Sequence, residues 1–278
     1  MHDNLILVVQ ARIGGSRFPG KVLHPILGQP LILWLLDRLS YIPSAPPIIV
    51  ATPPTEENRA IWDLCDRHGY QHMAPPCAEN DVLSRYAMVA EACGAKHIIR
   101  VTGDCPLIDP LVLETLWQTY IQVEIPTFLG IAHQWPDGQD CEVFPASDLA
   151  RAAAEAQRPS DREHVTPYLW NHPELFQPRL MACQFDLSHL QYSVDTPADM
   201  ALVAALLKTA LARWGLATGW GYREIAYLIE TDPEIRALHG GRPPRNQAYL
   251  EQVAQERDAA YRGPRIGTWA EERYGEKG

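Results

Sequence analysis

No apolar run in the sequence approaches the roughly 18 residues a membrane span needs, so no transmembrane helix is expected. There is no C-x-x-C pair. The six cysteines, Cys65, Cys77, Cys93, Cys105, Cys141 and Cys183, are scattered. That spacing suits neither a zinc site nor a disulfide framework and points to free thiols in a reducing compartment. Met1-His2-Asp3-Asn4 lacks a basic start and Leu5–Val9 is too short for the apolar core of a signal peptide, so a cytoplasmic protein is expected. Positive charge is also scarce: the net charge of −10 argues against a general nucleic-acid binder. Neither nucleic acid nor a membrane is an expected partner. No internal repeat or low-complexity linker is present. The most informative gap is local. No acidic residue falls between Asp3 and Asp37, in a chain that carries 34 of them. The remainder is ordinary: 278 residues, 46% hydrophobic and 21% charged, fit a soluble globular chain of one or two domains.

Strand and helix patterns alternate along the first half. Leu5–Val9 is an unbroken apolar run, as in a strand buried on both faces. Leu31–Leu39 reads as a helix and Ile48–Ala51 as a strand. Thr55 reads as the N-cap of a helix carrying Ile61, Leu64 and Cys65. Tyr70–Met73 is a short strand, Val82–Cys93 a helix and His97–Val101 a strand. Short connections between such segments predict a three-layer α/β/α fold with a mostly parallel sheet. Ligands bind such sheets beyond the carboxyl ends of the strands, which directs attention to Gln10–Lys21 and Thr102–Pro110.

The second half is mixed. Thr127–Ala132 and Cys141–Phe144 read as a hairpin insertion around Pro136-Asp137-Gly138. Ser147–Ala156 and Arg162–Asn171 read as helices, and Arg179–Phe185 and Gln191–Val194 as strands. Pro197–Trp214 is a long helix, followed by helices near Tyr222–Glu230 and Asn246–Arg262. Residues 1–214 are expected to form the main domain, with 215–278 a helical extension packed on it and a loosely held tail from Gly263.

The first strand-end loop holds Arg12, Arg17 and Lys21 with Gly14, Gly15 and Gly20. Glycines let backbone N–H groups approach an oxyanion, and three fixed cations can neutralise a triphosphate. A solvated basic turn is the plain alternative. A P-loop is the other: Gly15–Lys21 fits G-x-x-x-x-G-K, but Val22 stands where Ser or Thr must ligate magnesium. In the second loop Asp104 follows a buried strand, between Gly103 and Cys105-Pro106, and suits a hard cation such as Mg²⁺ that takes one or two carboxylates plus phosphate oxygens. Asp109, before Pro110, suits a helix cap. Ser193-Val194-Asp195-Thr196-Pro197 repeats the strand–Asp–helix pattern, with Asp195 either a second metal carboxylate or, like Thr196, a cap. Cys105 has no spaced His partner and reads as a small buried residue. Trp34, Trp62, Trp117 and Trp170 read as core.

These motifs together carry a resemblance. Ala11–Lys21, Gly28-Gln29-Pro30-Leu31, Gly103–Asp109 and Asp195–Asp199 resemble the cytidylyltransferases that make CMP-activated acidic sugars, the CMP-sialic acid and CMP-3-deoxy-manno-octulosonate synthetases. Glu79–Tyr86 and Arg162–Tyr168 are most similar to the spore coat polysaccharide biosynthesis protein F branch. The resemblance spans about Leu5–Leu207 and implies a nucleotide-diphospho-sugar transferase-like fold. It implies transfer of CMP from CTP to an acidic sugar or related hydroxy acid, with release of pyrophosphate and with Mg²⁺ as cofactor. By the same resemblance Arg12, Lys21, Asp104 and Asp195 form the catalytic set, the two aspartates holding the metal. Ala11, Gly14, Ser16, Arg17, Ala51, Thr52, Asp81, Arg85, Thr102 and Gly103 surround the nucleotide. Asp140 and Glu142 face the acceptor by the resemblance; Arg162 and His164, near a helix start whose N–H groups favour anions, are either further acceptor ligands for a carboxylate or phosphate or part of a plain surface helix start capped by Asp161 or Ser160. A homodimer is expected. The rival functions are a glycosyltransferase on the same fold and a non-catalytic nucleotide-binding module. Asp104-Cys105-Pro106 lacks the second acid of the D-x-D motif usual in the former. The presence of both Asp104 and Asp195 argues against the latter.

Overall fold

The computed structural model describes residues 4–15, 17–123, 127–215, 219–240 and 247–258. In chain order the first half runs β1 (Leu5–Gln10), β2 (Pro25–Ile26), β3 (Gln29–Pro30), α1 (Leu31–Leu39), β4 (Ile48–Ala51), α2 (Arg59–His68), β5 (Gln71–Met73), α3 (Val82–Ala92), β6 (His97–Thr102) and α4 (Pro110–Tyr120). It continues through β7 (Leu129–Ile131), β8 (Cys141–Pro145), α5 (Ala146–Glu155), α6 (Pro159–His164), α7 (Pro167–Asn171), α8 (Pro173–Phe176), β9 (Arg179–Met181), α9 (Pro197–Trp214), α10 (Tyr222–Thr231), α11 (Pro233–His239) and α12 (Gln247–Asp258).

Alternation within β1 explains the layers. Leu5, Leu7 and Val9 face one cluster with Leu36 and Leu39 of α1, Ile61 and Leu64 of α2, and Leu113 and Trp117 of α4. Ile6 and Val8 face the other, with Leu83, Tyr86 and Val89 of α3, Leu149 of α5 and Trp170 of α7. A strand apolar on both faces needs cover on both, so helices sandwich the sheet. The seven-stranded sheet has the order β5-β4-β1-β6-β8-β7-β9. The run from β5 to β6 is parallel, β8 is antiparallel to both β6 and β7, and β9 is parallel to β7. The fold is thus α/β with a mostly parallel sheet, as expected, with the β7–β8 pair as its antiparallel insertion. A third cluster buries α9, α10 and α11 on Leu31, Leu107, Leu190 and Tyr192. No helix among the described residues is long and apolar enough to cross a membrane.

Register fixes where the loops leave. Gln10 pairs with Ala51 and with Thr102, so β1, β4 and β6 end level and their following loops share one edge. Those loops are stitched together by Ala11 N–H to the Ala51 carbonyl (3.0 Å) and Gly103 N–H to the Gln10 carbonyl (2.9 Å). Gly103 is required there: a Cβ would sit 2.6 Å from the Gln10 carbonyl oxygen.

Several local expectations change. Gln191–Val194 is not a strand; it makes one isolated bridge, Asp137 to Gln191. Its other backbone bonds join two loops, Tyr192 N–H to the Asp137 carbonyl and Val194 N–H to the Asp104 carbonyl (each 2.9 Å). The expected helix Arg162–Asn171 is broken into α6 and α7 because Val165 adopts φ 73°, ahead of Pro167, which cannot donate to a preceding turn. Thr55 does not cap with its side chain. Its hydroxyl instead accepts from Asn58 Nδ2 at 2.7 Å. Trp117 and Trp170 are buried, whereas Trp34 and Trp62 are partly exposed, with indole N–H groups bonded to the Ile26 carbonyl and Thr52 Oγ1. The tail from Gly263 lies outside the described residues.

Candidate active site

The glycine-containing loop after β1 is closed on itself by Gly20 N–H to the Ile13 carbonyl (2.8 Å), with Gly20 at φ 72° starting the short 3₁₀ turn Lys21–Leu23. It is held from below by Asn58, fully buried, whose Oδ1 accepts from Ile13 N–H at 2.9 Å. Residue Ser16, one of the expected phosphate ligands, lies outside the described residues.

Lys21 is the centre of the site. Its ammonium donates to Asp104 Oδ2 (2.8 Å), Asp195 Oδ1 (2.9 Å) and the Val194 carbonyl (2.6 Å). Arg17 takes the other oxygen of Asp195 at 3.0 Å. Four of the five expected residues of the cradle and the carboxylate pair, Arg17, Lys21, Asp104 and Asp195, thus meet, although Lys21 and Asp195 are 174 positions apart. Burial disfavours charge on both Lys21 and Asp104. Their mutual attraction outweighs it, helped by Asp195 for Lys21 and by the Thr102 hydroxyl for Asp104, raising the Lys21 pKa above its ordinary 10.5 and lowering that of Asp104 below 3.8.

Asp195 is spared from capping. Thr196 Oγ1 accepts from Asp199 N–H while Asp199 Oδ2 accepts from Thr196 N–H (2.7 Å), completing a capping box for α9. Asp199 Oδ2 also accepts from Asp195 N–H at 2.9 Å, which fixes the backbone beneath the carboxylate. In the other loop Asp109 does cap α4, accepting from Leu111 N–H at 2.9 Å, and accepts from Tyr222 N–H at 3.1 Å.

Arg12 stands apart, its guanidinium 3.3 Å from Glu79, 3.1 Å from Asn80 Oδ1 and 3.8 Å from Glu163. Gly14 lies beside Glu79 as well, and beside Glu57: a Cβ there would fall 2.8 Å from Glu79 Oε1 and 3.4 Å from Glu57 Oε1. Ala51 and Thr52 are fully buried at the end of β4, with the Thr52 hydroxyl taken by Trp62. Thr102 Oγ1 is 3.3 Å from Cys105 Sγ. Burial, and then Asp104, Asp140 and Asp137, push the Cys105 thiol well above its ordinary pKa, as for an inert buried cysteine.

Other expected ligands are committed to the frame. Arg85, 2% exposed, donates to the Ala78 and Glu79 carbonyls and shapes the loop facing Arg12. Asp81 caps α3 and pairs with Arg162 at 2.8 Å. Arg162 donates also to Ser84 Oγ and the Ala153 and Ala156 carbonyls. It therefore clamps α3, α5 and α6 together rather than pointing at a small acceptor. Glu142 is buried against Arg100 (2.7 Å), its direct partner across β6 and β8, and accepts from Thr166 (2.9 Å). His164 is half-buried against α12, with Nε2 2.9 Å from Gln252 Oε1, and desolvation lowers its pKa, which favours the neutral ring at pH 7. Asp140 Oδ2 accepts from Gly138 N–H at 3.3 Å.

Two buried residues support the Asp104 loop and went unread in the sequence. Arg38 donates to the Ile108 carbonyl (2.7 Å) and the Trp220 carbonyl (3.2 Å) and lies 4.0 Å over the Trp220 ring. Burial lowers its pKa to about 10, which leaves it charged at neutral pH. Gln139 accepts from Asp109 N–H and donates to the Leu107 carbonyl and Tyr192 hydroxyl. A charged or amide residue inside an apolar helix or turn was the available signal.

A cationic glycine loop and a carboxylate pair at the carboxyl edge of a parallel sheet define a phosphate-handling α/β enzyme. The pattern of one such group, the cytidylyltransferases, matches residues 6–215. The chain belongs to the cytidylyltransferase family and is a nucleotidyltransferase. It is 28% identical to the spore coat polysaccharide biosynthesis protein SpsF of Bacillus subtilis over 84% of this chain and 96% of that one, in line with the branch read from the motifs. A 3-deoxy-manno-octulosonate cytidylyltransferase of Saccharophagus degradans is 35% identical over 40% of this chain and 42% of its own. A cytidylyltransferase structure from Leptospira borgpetersenii superposes with a TM-score of 0.77 at 25% identity, covering 87% of this chain and 99% of that one. The fold is also that of a CMP:2-keto-3-deoxy-manno-octonic acid synthetase complexed with CTP (TM-score 0.61, 19% identity, covering 75% of this chain and all of that one).

Proposed function

We propose that the protein transfers CMP from CTP to a hydroxyl of an acidic sugar or related hydroxy acid, releasing pyrophosphate, in the synthesis of a surface polysaccharide. The observation that carries this reading is the convergence on Lys21 of Asp104 and Asp195. One cradle cation reaches both carboxylates, so the triphosphate and the acids share one small volume. The name of the 3-deoxy-manno-octulosonate cytidylyltransferase relative supports the cytidine base and the acidic acceptor, and that of the SpsF relative supports a polysaccharide product.

The donor set fits a divalent cation. Two carboxylates gathered around a single positive charge are what Mg²⁺ requires from a protein when phosphate oxygens complete its shell. No group of three or more such ligands occurs among the described residues, which accords with a site finished by substrate. Bound at Asp104 and Asp195, the metal would polarise the phosphate oxygens. Arg12, Arg17 and Lys21 neutralise the triphosphate and the departing pyrophosphate. The hydroxyl attacks the α-phosphorus in line and gives up its proton to solvent, while the bond to the bridging oxygen breaks and pyrophosphate leaves. Asp140 lies on the acceptor side, next to the Asp104 loop. Arg85, Asp81, Arg162, Glu142 and His164 act by positioning. The main domain is 1–214 and the extension 215–278, whose described residues brace it through Trp220 on Arg38 and α12 on α6. The protein works in the cytoplasm as a homodimer.

The test is pyrophosphate release from each nucleoside triphosphate with Mg²⁺ and a panel of acidic sugars. Only CTP with an acidic acceptor should release it, and CTP with Mg²⁺ should raise the melting temperature more than ATP, GTP or UTP. Equal shifts for all four would remove the cytidine assignment.

A further inference from the structure

Each cation of the phosphate cradle is already paired within the chain. Arg12 is held by Glu79, Asn80 and Glu163, Arg17 by Asp195, and Lys21 by Asp104, Asp195 and the Val194 carbonyl. An ammonium has three protons to donate, and these three acceptors match them. Lys21 therefore cannot donate to a phosphate without first releasing one of its present partners. The same contact blocks the carboxylates, since a cation entering between them would meet a fixed positive charge less than 3 Å from each.

We propose that Lys21 is an internal counter-ion standing in for the divalent metal, so that metal and triphosphate bind by exchanging partners: the metal takes Asp104 and Asp195 as the phosphates take Lys21 and Arg17. This rests on the nucleotidyl-transfer reading for the identity of the triphosphate. The charges require it to be cooperative. With Lys21 and Arg17 in place, the two carboxylates are neutralised and offer little to a free cation. A triphosphate alone approaches cations whose charge is cancelled by the same two acids. When both arrive, every charge keeps an opposite partner. Ligand-linked exchanges of this kind change affinity by about 5- to 150-fold.

The decisive measurement is binding of Mn²⁺ alone to the full chain, read from the electron paramagnetic resonance signal of the free ion. The nucleotide-free wild type should bind Mn²⁺ weakly. Lys21→Met should bind it about tenfold tighter or more, although it has lost a residue of the catalytic set. Lys21→Met with Asp104→Asn should lose that gain, which assigns the ion to the carboxylate pair. A second measurement needs no variant. For the wild type, the rise in melting temperature with Mg²⁺ and CTP together should exceed the sum of the rises with each alone. The inference is overturned if the wild type binds Mn²⁺ as tightly as Lys21→Met, if the gain survives Asp104→Asn, or if the wild-type shifts are additive. Failure of the cytidine reading looks different: equal responses to all four nucleoside triphosphates, with the Mn²⁺ gain and the non-additive shifts intact, which supports the exchange.

Discussion

Two aspartates four positions apart at the start of α9 are predicted to behave in opposite ways. Asp195 touches Lys21 and Arg17 and leaves its helix to be capped by others, while Asp199 accepts from the Asp195 and Thr196 amides and the Thr196 hydroxyl through one oxygen. Asp195→Asn keeps the shape and removes one of the two carboxylates proposed to hold the divalent cation against the phosphates, so turnover should fall about 10²-fold or more, roughly 3 kcal/mol of transition-state stabilisation. Its effect on folding should be small. The carboxylate is 29% exposed, and ion pairs that water reaches contribute about 0–1 kcal/mol. Asp199→Ala should do the reverse. Asp199 is 6% exposed, and its loss removes the return half of the capping box and leaves the part-buried Asp195 and Thr196 N–H groups without an acceptor. That costs about 2–4 kcal/mol, or roughly 5–12 °C in a chain of this size. Differential scanning fluorimetry and pyrophosphate release on the same preparations check both. Near-native turnover of Asp195→Asn would refute the catalytic assignment and return the residue to a structural role. Melting of Asp195→Asn as low as that of Asp199→Ala would show that the two share the cap.

Arg38→Met should destabilise the fold by about 3–5 kcal/mol in urea titration, because it strips a buried charge from two carbonyls and an indole face; a loss under about 1 kcal/mol would show that those contacts contribute little. Arg162→Ala should lower the melting temperature and leave the acceptor KM within about twofold, since its hydrogen bonds are to α3 and α5. A raised KM with unchanged melting would hand Arg162 back to the acceptor. Asp161 gives a pH dependence: burial, and then Glu256, outweigh the pull of Arg158 and lift its carboxyl from 3.8 to about 6. A carboxyl raised in the folded state favours folding below pH 3.8, and that advantage is lost as pH rises to about 6, a change of about 3 kcal/mol. The melting temperature of Asp161→Asn relative to wild type should therefore climb between pH 4 and pH 7, and a flat difference would exclude the linkage.

How much of this could be read from the sequence depended on distance along the chain. Leu5–Val9 announces itself, because an apolar run is decided within a few residues; a cap at Thr196 was open in the sequence, but its return bond to Asp199 was not read. Lys21, Asp104 and Asp195 were legible as residue types beside glycine and proline at strand ends. Their joining through one ammonium was not, since partners 83 and 174 positions away leave no local mark. Asn58, Arg38 and Gln139 escaped for the same reason: each acts on a backbone segment 30 to 182 positions away. Arg162 and His164 misled in the opposite sense. A cation and an imidazole at a helix look the same whether they meet a ligand or a neighbouring helix, and here Asp81 and Gln252 took them.

The long reach of Lys21 also bears on how the enzyme comes into being. Extending a closed loop from 83 to 174 residues adds only about 0.6 kcal/mol of closure entropy, so the finished fold carries the distance lightly. Time is another matter. β1, β4 and β6 pair within the first 102 residues, but the partner that completes the Lys21 contacts emerges from the ribosome some 90 residues later. A nascent or truncated chain ending before Val194 can hold a sheet and a basic loop, yet its lysine has only one of its two carboxylates. In refolding, recovery of turnover should trail recovery of the parallel sheet, because competence waits on the last long-range closure.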